Sequence, residues 1–283
     1  MSYRGRFAPS PTGALHFGSL VAAFASWLRA RRAGGTWLVR IEDLDPPREV
    51  PGAAEHQLHT LQAFGLVSDE PVIRQSRRGE VYRAAVQRLL DADLAFECRC
   101  SRSDVAAQGG VHRACVPGAA GRPPAIRARV PEVEVDFVDA VQGPQSQALA
   151  REVGEFVLWR VEDFASYQLA VVVDDAAQGI TEVVRGCDLL DSTPRQLWLQ
   201  QALGLPAPSY LHVPLALDEQ GRKLSKTLAS LPIDEADPLP ALRAAWAFLG
   251  QAPLAQARLD TFLQCAADSF DVARIPAVAV PGV

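Results

Sequence analysis

The sequence predicts an α/β fold: parallel strands whose carboxyl ends carry the chemistry, a small-stranded insertion between two halves, and a helical end. Three observations carry that reading. Residues 6–28 pass from a short apolar strand through a loop with two prolines and a glycine into Leu20, Phe24, Trp27 and Leu28 at helical spacing. Residues 36–41 form a second apolar strand that ends on Glu42, Asp43 and Asp45. Between two strand–helix halves lie several short strands parted by Pro- and Gly-containing turns, across 95–165.

Bulk properties set the class. The 283 residues are 48% apolar and 22% charged, ordinary for a globular domain large enough to bury a core. No apolar run reaches membrane-spanning length, and residues 1–20 lack the core of a signal peptide. A cytoplasmic monomer with no membrane partner is the expectation. Five cysteines, odd in number and partly clustered, argue against a disulfide framework. The net charge of −5 disfavours coating nucleic acid non-specifically, because that affinity comes from Lys and Arg on phosphates. A local basic face remains compatible with it.

In chain order, the loop at 8–16 joins a strand to a helix start, where unpaired N–H groups and the helix dipole favour an anion. Ser10, Thr12 and His16 add small donors. An ordinary strand–helix unit with His16 at its turn is the other reading. The acids at 42–45 sit where open α/β sheets bind ligands, or form a solvated turn broken by Pro46 and Pro47. Residues 51–64 and 79–92 read as amphipathic helices, with Val81, Ala85, Val86, Leu89 and Leu90 as one core face of the second. His56 and His59 fall on a polar face.

Cys98, Cys100, His112 and Cys115 place four soft or borderline donors within eighteen residues, and Gly109-Gly110 lets the chain turn back. Two close pairs joined by a loop suit tetrahedral zinc with no open position; free thiols are the alternative. Strands are expected at 125–130, 135–138 and 156–160, with a turn at 143–147. The apolar run at 165–175 reads as a strand buried on both faces, with Tyr167 near its start and Asp174 and Asp175 at its end. A strand at 180–185, a helix at 191–203 and a strand at 213–217 follow. They lead to a Gly-led basic loop bearing Lys223 and Lys226. A helix at 238–250 precedes an Ala-rich tail, helical to about Cys265.

Five of these stretches together resemble one family. Arg6-Phe7-Ala8-Pro9-Ser10-Pro11-Thr12-Gly13 followed by His16-Phe17-Gly18-Ser19 is similar to the first signature of class I aminoacyl-tRNA synthetases, in its glutamyl form. Ser19 departs from it, standing where a second histidine is usual. Arg40-Ile41-Glu42-Asp43-Leu44-Asp45, the run from Tyr167 to Asp175, and Val184-Arg185-Gly186-Cys187-Asp188 resemble the glutamyl subgroup again. Lys223-Leu224-Ser225-Lys226-Thr227 resembles the second class I signature.

The resemblance implies a Rossmann-like nucleotide-binding fold in two halves, 1–94 and 166–235. It implies an inserted α+β zinc-containing subdomain at 95–165 that holds tRNA, and a helical segment at 236–283. L-glutamate and ATP with Mg²⁺ are the implied substrates. His16, Lys223 and Lys226 are then catalytic, and ATP lies on His16, Gly18, Ser19 and Lys226. Glutamate lies among Arg6, Phe7, Ala8, Pro9, Ser10, Glu42, Tyr167 and Arg185. Glu42 faces its ammonium; Arg6, Tyr167 and Arg185 face its distal carboxylate, which a planar guanidinium grips bidentately. Short bacterial relatives carry Cys-x-Cys at this place, so structural zinc on Cys98, Cys100, His112 and Cys115 is implied, His112 replacing a tyrosine. The long anticodon-binding domain of full glutamyl synthetases has no counterpart here. That resembles the short branch of the family, which transfers activated glutamate to queuosine in the anticodon of tRNA(Asp).

Overall fold

Strand β1 (Arg4–Phe7) is followed by helix α1 (Phe17–Arg32) and strand β2 (Thr36–Ile41), which returns parallel to β1 with Arg4 opposite Thr36 and Phe7 opposite Val39. The computed structural model describes residues 2–116, 121–215 and 233–277. Helix α2 (Ala53–Ala63) leads to β3 (Ile73–Arg74), parallel to β2, and then to α3 (Gly79–Asp91). A small antiparallel sheet follows, made of β4 (Ala95–Cys98), β5 (Ala125–Ala128) and, further on, β8 (Val157–Trp159). Within that span lie α4 (Arg102–Ala107), the hairpin of β6 (Glu134–Asp139) and β7 (Gly143–Ala148), and the single turn α5 (Leu149–Glu152). Helix α6 (Tyr167–Ala177), β9 (Glu182–Gly186), α7 (Thr193–Leu203), β10 (Ser209–Val213), α8 (Leu239–Phe248) and α9 (Leu259–Ser269) complete the order.

Two parallel sheets form the body. One runs β1-β2-β3; the other runs β9-β10-β6, with β7 antiparallel on its outer edge. They abut where Thr181, just before β9, donates its N–H to the Arg4 carbonyl at 2.9 Å and accepts the Arg4 N–H on Oγ1 at 2.9 Å. The chain therefore leaves β1 toward β2 and β3, then returns on β1's other side with β9 and β10. Such a reversal opens a crevice at the strands' carboxyl ends, the usual ligand position of open α/β sheets.

Helix α1 is buried along most of its length because it lies between the sheet and the C-terminal helices. Leu20, Phe24 and Leu28 are fully buried, and the Phe24 ring lies 6.4 Å from both Trp246 of α8 and Phe262 of α9. Each such side chain contributes about 1.5–3 kcal/mol by leaving water. The tail helices thus lock the helix that presents the first signature loop. A second core, under the small sheet, joins Tyr82 and Leu89 of α3 to Leu158, Leu169 and Leu199.

Four expectations are corrected. Residues 167–177 form a helix, not a strand. Leu169 to Asp175 are all buried, so no polar face marks the helical period, and an unbroken apolar run fits either state. Asp174 and Asp175 accordingly lie mid-helix inside the molecule, not at a strand end. Asp174 accepts from Gln75, Arg78 and Tyr82, and Asp175 from Arg6 and Arg40. Residues 143–147 are strand, not turn: the hairpin register runs unbroken from Asp139 opposite Gly143 to Glu134 opposite Ala148. Pro144 is tolerated there because β7 is an edge strand. The strand expected at 213–217 is β10, four residues earlier, and His212 lies inside it. Pro214 supplies no N–H to extend the ladder. The tail helix begins only at Leu259, after residues 251–257 without regular structure. No described helix is long and apolar enough to cross a membrane.

Candidate active site

The crevice between the carboxyl ends of β1 and β9 gathers most of the expected residues. The loop after β1 is pinned from three sides. Pro9 carbonyl accepts the Glu42 N–H at 2.9 Å, Pro11 carbonyl accepts the Val50 N–H at 2.9 Å, and the Gln57 amide donates to the Ser10 and Gly13 carbonyls. Phe7 is a core side chain, so it offers the crevice only backbone. Ala8 is half-buried, Pro9 buried and Ser10 exposed.

His16 caps helix α1. Its Nδ1 accepts the Ser19 N–H at 3.2 Å, which leaves the proton of the neutral ring on Nε2, 3.2 Å from Ser19 Oγ. A Cβ at Gly18 would stand 3.2 Å from His16 Cε1, so glycine gives the ring room to lie across the helix start. Desolvation by the surrounding loop holds the imidazole below its ordinary value, with Asp188 pulling the other way. His16 is therefore a neutral donor at pH 7, next to open helix N–H groups. Lys223 and Lys226 lie outside the described residues.

On the opposite wall stands Arg185, in β9 and nearly fully buried. Every one of its five N–H groups is used: Nε on His212 Nε2 at 3.0 Å, Nη1 on Tyr167 Oη at 3.1 Å and Gln196 Oε1 at 2.8 Å, Nη2 on the Leu189 carbonyl at 3.2 Å and Thr193 Oγ1 at 2.9 Å. Among the described residues these partners are all neutral groups. The guanidinium is thus oriented by hydrogen bonds, and its charge meets no carboxylate of the described residues at contact distance. Tyr167 and Arg185 meet as expected.

Arg6 is differently placed. Its Nε and Nη2 bind Asp175 at 3.0 and 3.3 Å, and Arg40 Nη1 binds the same carboxylate at 2.8 Å. Burial alone pushes the Asp175 carboxyl up, but Arg6 and Arg40 outweigh it and hold it below the ordinary carboxylate range. Glu42 accepts one long bond from Arg40, 3.2 Å. Burial raises its carboxyl above the ordinary value, and Arg40 and Arg6 offset this only in part. Arg6 therefore lies between the two ends of the crevice, felt by Glu42 and by His212 alike.

A second constellation sits in the small sheet. The donor atoms of Cys98, Cys100, His112 and Cys115 all lie within 4.8 Å of one another. Cys98 Sγ is 3.3 Å from His112 Nε2, and the other ring nitrogen faces Glu155 Oε2 at 2.8 Å. That carboxylate fixes the tautomer that turns Nε2 toward the thiols, as for metal-binding histidines. Backbone N–H groups of Cys100 and Val116 donate to Cys98 Sγ and Cys100 Sγ at 3.4 and 3.3 Å. The donor set fits a tetrahedral ion with four protein ligands. Gly154 is needed here: its φ is +68°, and a Cβ would lie 2.5 Å from the His112 carbonyl oxygen.

Sequence reasoning missed Gln196, on the helix that follows Arg185, and Asp139 and Glu155, which lie 73 and 43 residues from the histidines they support. His212 falls just before the strand expected at 213–217, with no local pattern that marks it as part of the site.

Comparison with known proteins adds three findings. A family model described as tRNA synthetases class I (E and Q), catalytic domain, matches residues 2–115 and 112–237. A glutamyl-Q tRNA(Asp) synthetase of Xanthomonas campestris pv. campestris (strain 8004) is 60% identical over 283 residues, covering 99% of this chain and 95% of its own. A glutamyl-Q tRNA(Asp) synthetase of Pseudomonas aeruginosa (strain LESB58) is 53% identical over 280 residues, covering 97% of this chain and 96% of its own. Among solved structures, a glutamate tRNA ligase of Elizabethkingia meningosepticum CCUG26117, in complex with its amino acid, superimposes with a TM-score of 0.83 at 26% identity. That match covers 98% of this chain and 66% of the ligase.

Proposed function

This chain belongs to the class I tRNA synthetases of the E and Q type, and on that premise we propose that it activates L-glutamate with ATP and transfers it to queuosine in the anticodon of tRNA(Asp). The observation that carries the amino-acid assignment is Arg185. A buried cation with only neutral partners is costly, and an incoming carboxylate offsets that cost. Glutamate brings a distal carboxylate; glutamine does not.

The reaction joins two anions, so catalysis is mostly positioning and charge neutralisation. Arg185, exchanging one of its neutral partners for the ligand, and Tyr167 receive the distal carboxylate, with Arg6, paired to Asp175, behind them, and Glu42 receives the α-ammonium. Backbone of Phe7, Ala8 and Pro9, with Ser10, forms the floor. The α-carboxylate oxygen attacks the α-phosphorus of ATP, the bond to pyrophosphate breaks, and glutamyl-adenylate results. His16, through its Nε2 proton, and the helix start at Gly18 and Ser19 stabilise charge on the α-phosphate. Lys226, with Lys223, neutralises the departing pyrophosphate; both roles rest on the resemblance of their loop. Mg²⁺ arrives with the nucleotide. A nucleophile of queuosine then takes the glutamyl group and releases AMP. Zinc on Cys98, Cys100, His112 and Cys115 is structural: it ties β4 to the loop before β5 and leaves no coordination position for water.

Two measurements test this reading. Glutamate-dependent ATP–pyrophosphate exchange without tRNA is expected, and its absence overturns the activation. Labelled glutamate is expected on tRNA(Asp) that carries queuosine and not on tRNA(Asp) that lacks it. Labelling of both, at the terminal ribose, overturns the acceptor.

The raised Glu42 carboxyl makes a pH prediction. A bound ammonium favours the carboxylate, so binding expels any proton that free Glu42 holds. KM for glutamate is therefore flat at pH values well above the Glu42 value. It rises, by up to about tenfold per pH unit, once pH falls through the Glu42 value. The rise begins above the range where an ordinary glutamate titrates. In Glu42→Gln the same limb disappears and KM is raised throughout; an unchanged acid limb in that variant removes Glu42 from the ammonium site.

A further inference from the structure

Arg185 is in register with His212 on the neighbouring strand β10, and β10 in turn lies beside β6, whose last residue is Asp139. Asp139 stands opposite Tyr210, two residues before His212, and the three side chains form one hydrogen-bonded chain across the three strands. Arg185 Nε donates to His212 Nε2 at 3.0 Å, and His212 Nδ1 lies 2.6 Å from Asp139 Oδ2. Both His212 and Asp139 are almost completely buried. The geometry points to a relay in which Asp139 and His212 are positioning residues for glutamate, acting by fixing the guanidinium of Arg185. This rests on the assignment of Arg185 to the amino acid's distal carboxylate.

The physical case is one of donors and acceptors. A guanidinium has no acceptor, so His212 Nε2 must be unprotonated where it meets Arg185. Thr193 Oγ1, 3.4 Å from the same nitrogen, supplies a further donor there. The ring proton is then on Nδ1 and is donated to Asp139. Asp139 cannot turn away: its Oδ1 accepts the N–H groups of Val141, Gln142 and His212 at 3.0, 2.9 and 3.2 Å. Burial, first, and the nearby charges of Arg185 and Arg6 keep the imidazole neutral against the pull of Asp139. His212 is further fixed by stacking on Tyr210, rings 6.1 Å apart and 8° from parallel. The consequence is that the β6–β7 hairpin, which belongs in sequence to the insertion, decides which nitrogen of His212 faces the substrate-binding arginine.

Asp139→Asn tests the relay with almost no change of shape. The backbone N–H groups hold the Asn oxygen in place of Oδ1, so its NH₂ faces His212 Nδ1. That forces the proton to Nε2, where it opposes the N–H of Arg185. We expect KM for glutamate in ATP–pyrophosphate exchange to rise at least tenfold, with KM for ATP changed less than twofold. Nitrogen-15 NMR of labelled histidines should show the His212 proton on Nδ1 in the native protein and on Nε2 in the variant. His212→Phe should raise KM for glutamate similarly. His212→Gln, whose amide offers one acceptor and one donor, should recover most of that loss. Native-like KM for glutamate in Asp139→Asn, or equal losses for ATP and glutamate in all three variants, overturns the relay. If Asp139→Asn does not fold, recovery in His212→Gln relative to His212→Phe decides the matter. Should the native protein show no exchange with glutamate, the pocket itself is misassigned and the relay falls with it.

Discussion

Arg185→Lys is expected to lower kcat/KM for glutamate in ATP–pyrophosphate exchange by about 100- to 1,000-fold, or about 3–4 kcal/mol of transition-state stabilisation. The native side chain makes five hydrogen bonds from one plane, to groups on β10, on α6, on α7 and in the turn before α7. An ammonium has three donors and no plane, so at least two of those buried acceptors lose their partner and the charge is no longer aimed. KM for ATP should stay within about threefold, because the proposed nucleotide site, the loop after β1 and the start of α1, makes no hydrogen bond to Arg185. The check is the ratio of the two effects in one assay. Equal losses for both substrates, or an Arg185→Lys protein that exchanges normally, removes Arg185 from the amino-acid site.

The second large effect concerns the metal. Cys98→Ala is expected to abolish one equivalent of bound zinc per chain, measured by elemental analysis, and to cost more than about 4 kcal/mol of stability in the zinc-bearing region. Cys98 is buried at the end of β4, directly against His112, so its loss leaves three ligands and an open edge. The residues proposed for the amino-acid pocket lie on or beside β1, β2, β9 and α6, outside the small sheet. If the insertion holds the RNA, as the resemblance implies, exchange with glutamate should survive the substitution better than transfer to tRNA(Asp). Prolonged chelation of the native protein should reproduce the same split. A Cys98→Ala protein that retains zinc and melts like the native one overturns the four-ligand centre.

How much of this was legible in the residues depended on how far apart the cooperating groups lie. The four candidate metal ligands fall within eighteen positions, and their grouping follows from spacing. Glu42 follows the end of β2 and His16 caps the start of α1, where a local pattern of apolar run, turn and polar residue marks each position. Strand β2 falls at the expected residues for the same reason. Helix α6 did not, because burial on nearly every side erased the periodicity that distinguishes helix from strand. The roles of Asp174 and Asp175 were misread with it. Once that segment is a helix, both carboxylates turn into the core, where Arg6, Arg40 and Arg78 meet them.

The sequence by itself determined the family, the chemistry at the strand ends and the four candidate zinc ligands, since these are short runs whose spacing is set by covalent bonds. Only the tertiary structure decided what surrounds the substrate-binding arginine. Asp139 lies 46 positions before Arg185 in the chain and His212 lies 27 after it; in space they are neighbours, because β9, β10 and β6 are adjacent strands of one sheet. Strand register is set by the packing of whole sheets, and no local pattern in the chain encodes which buried aspartate a given histidine will meet.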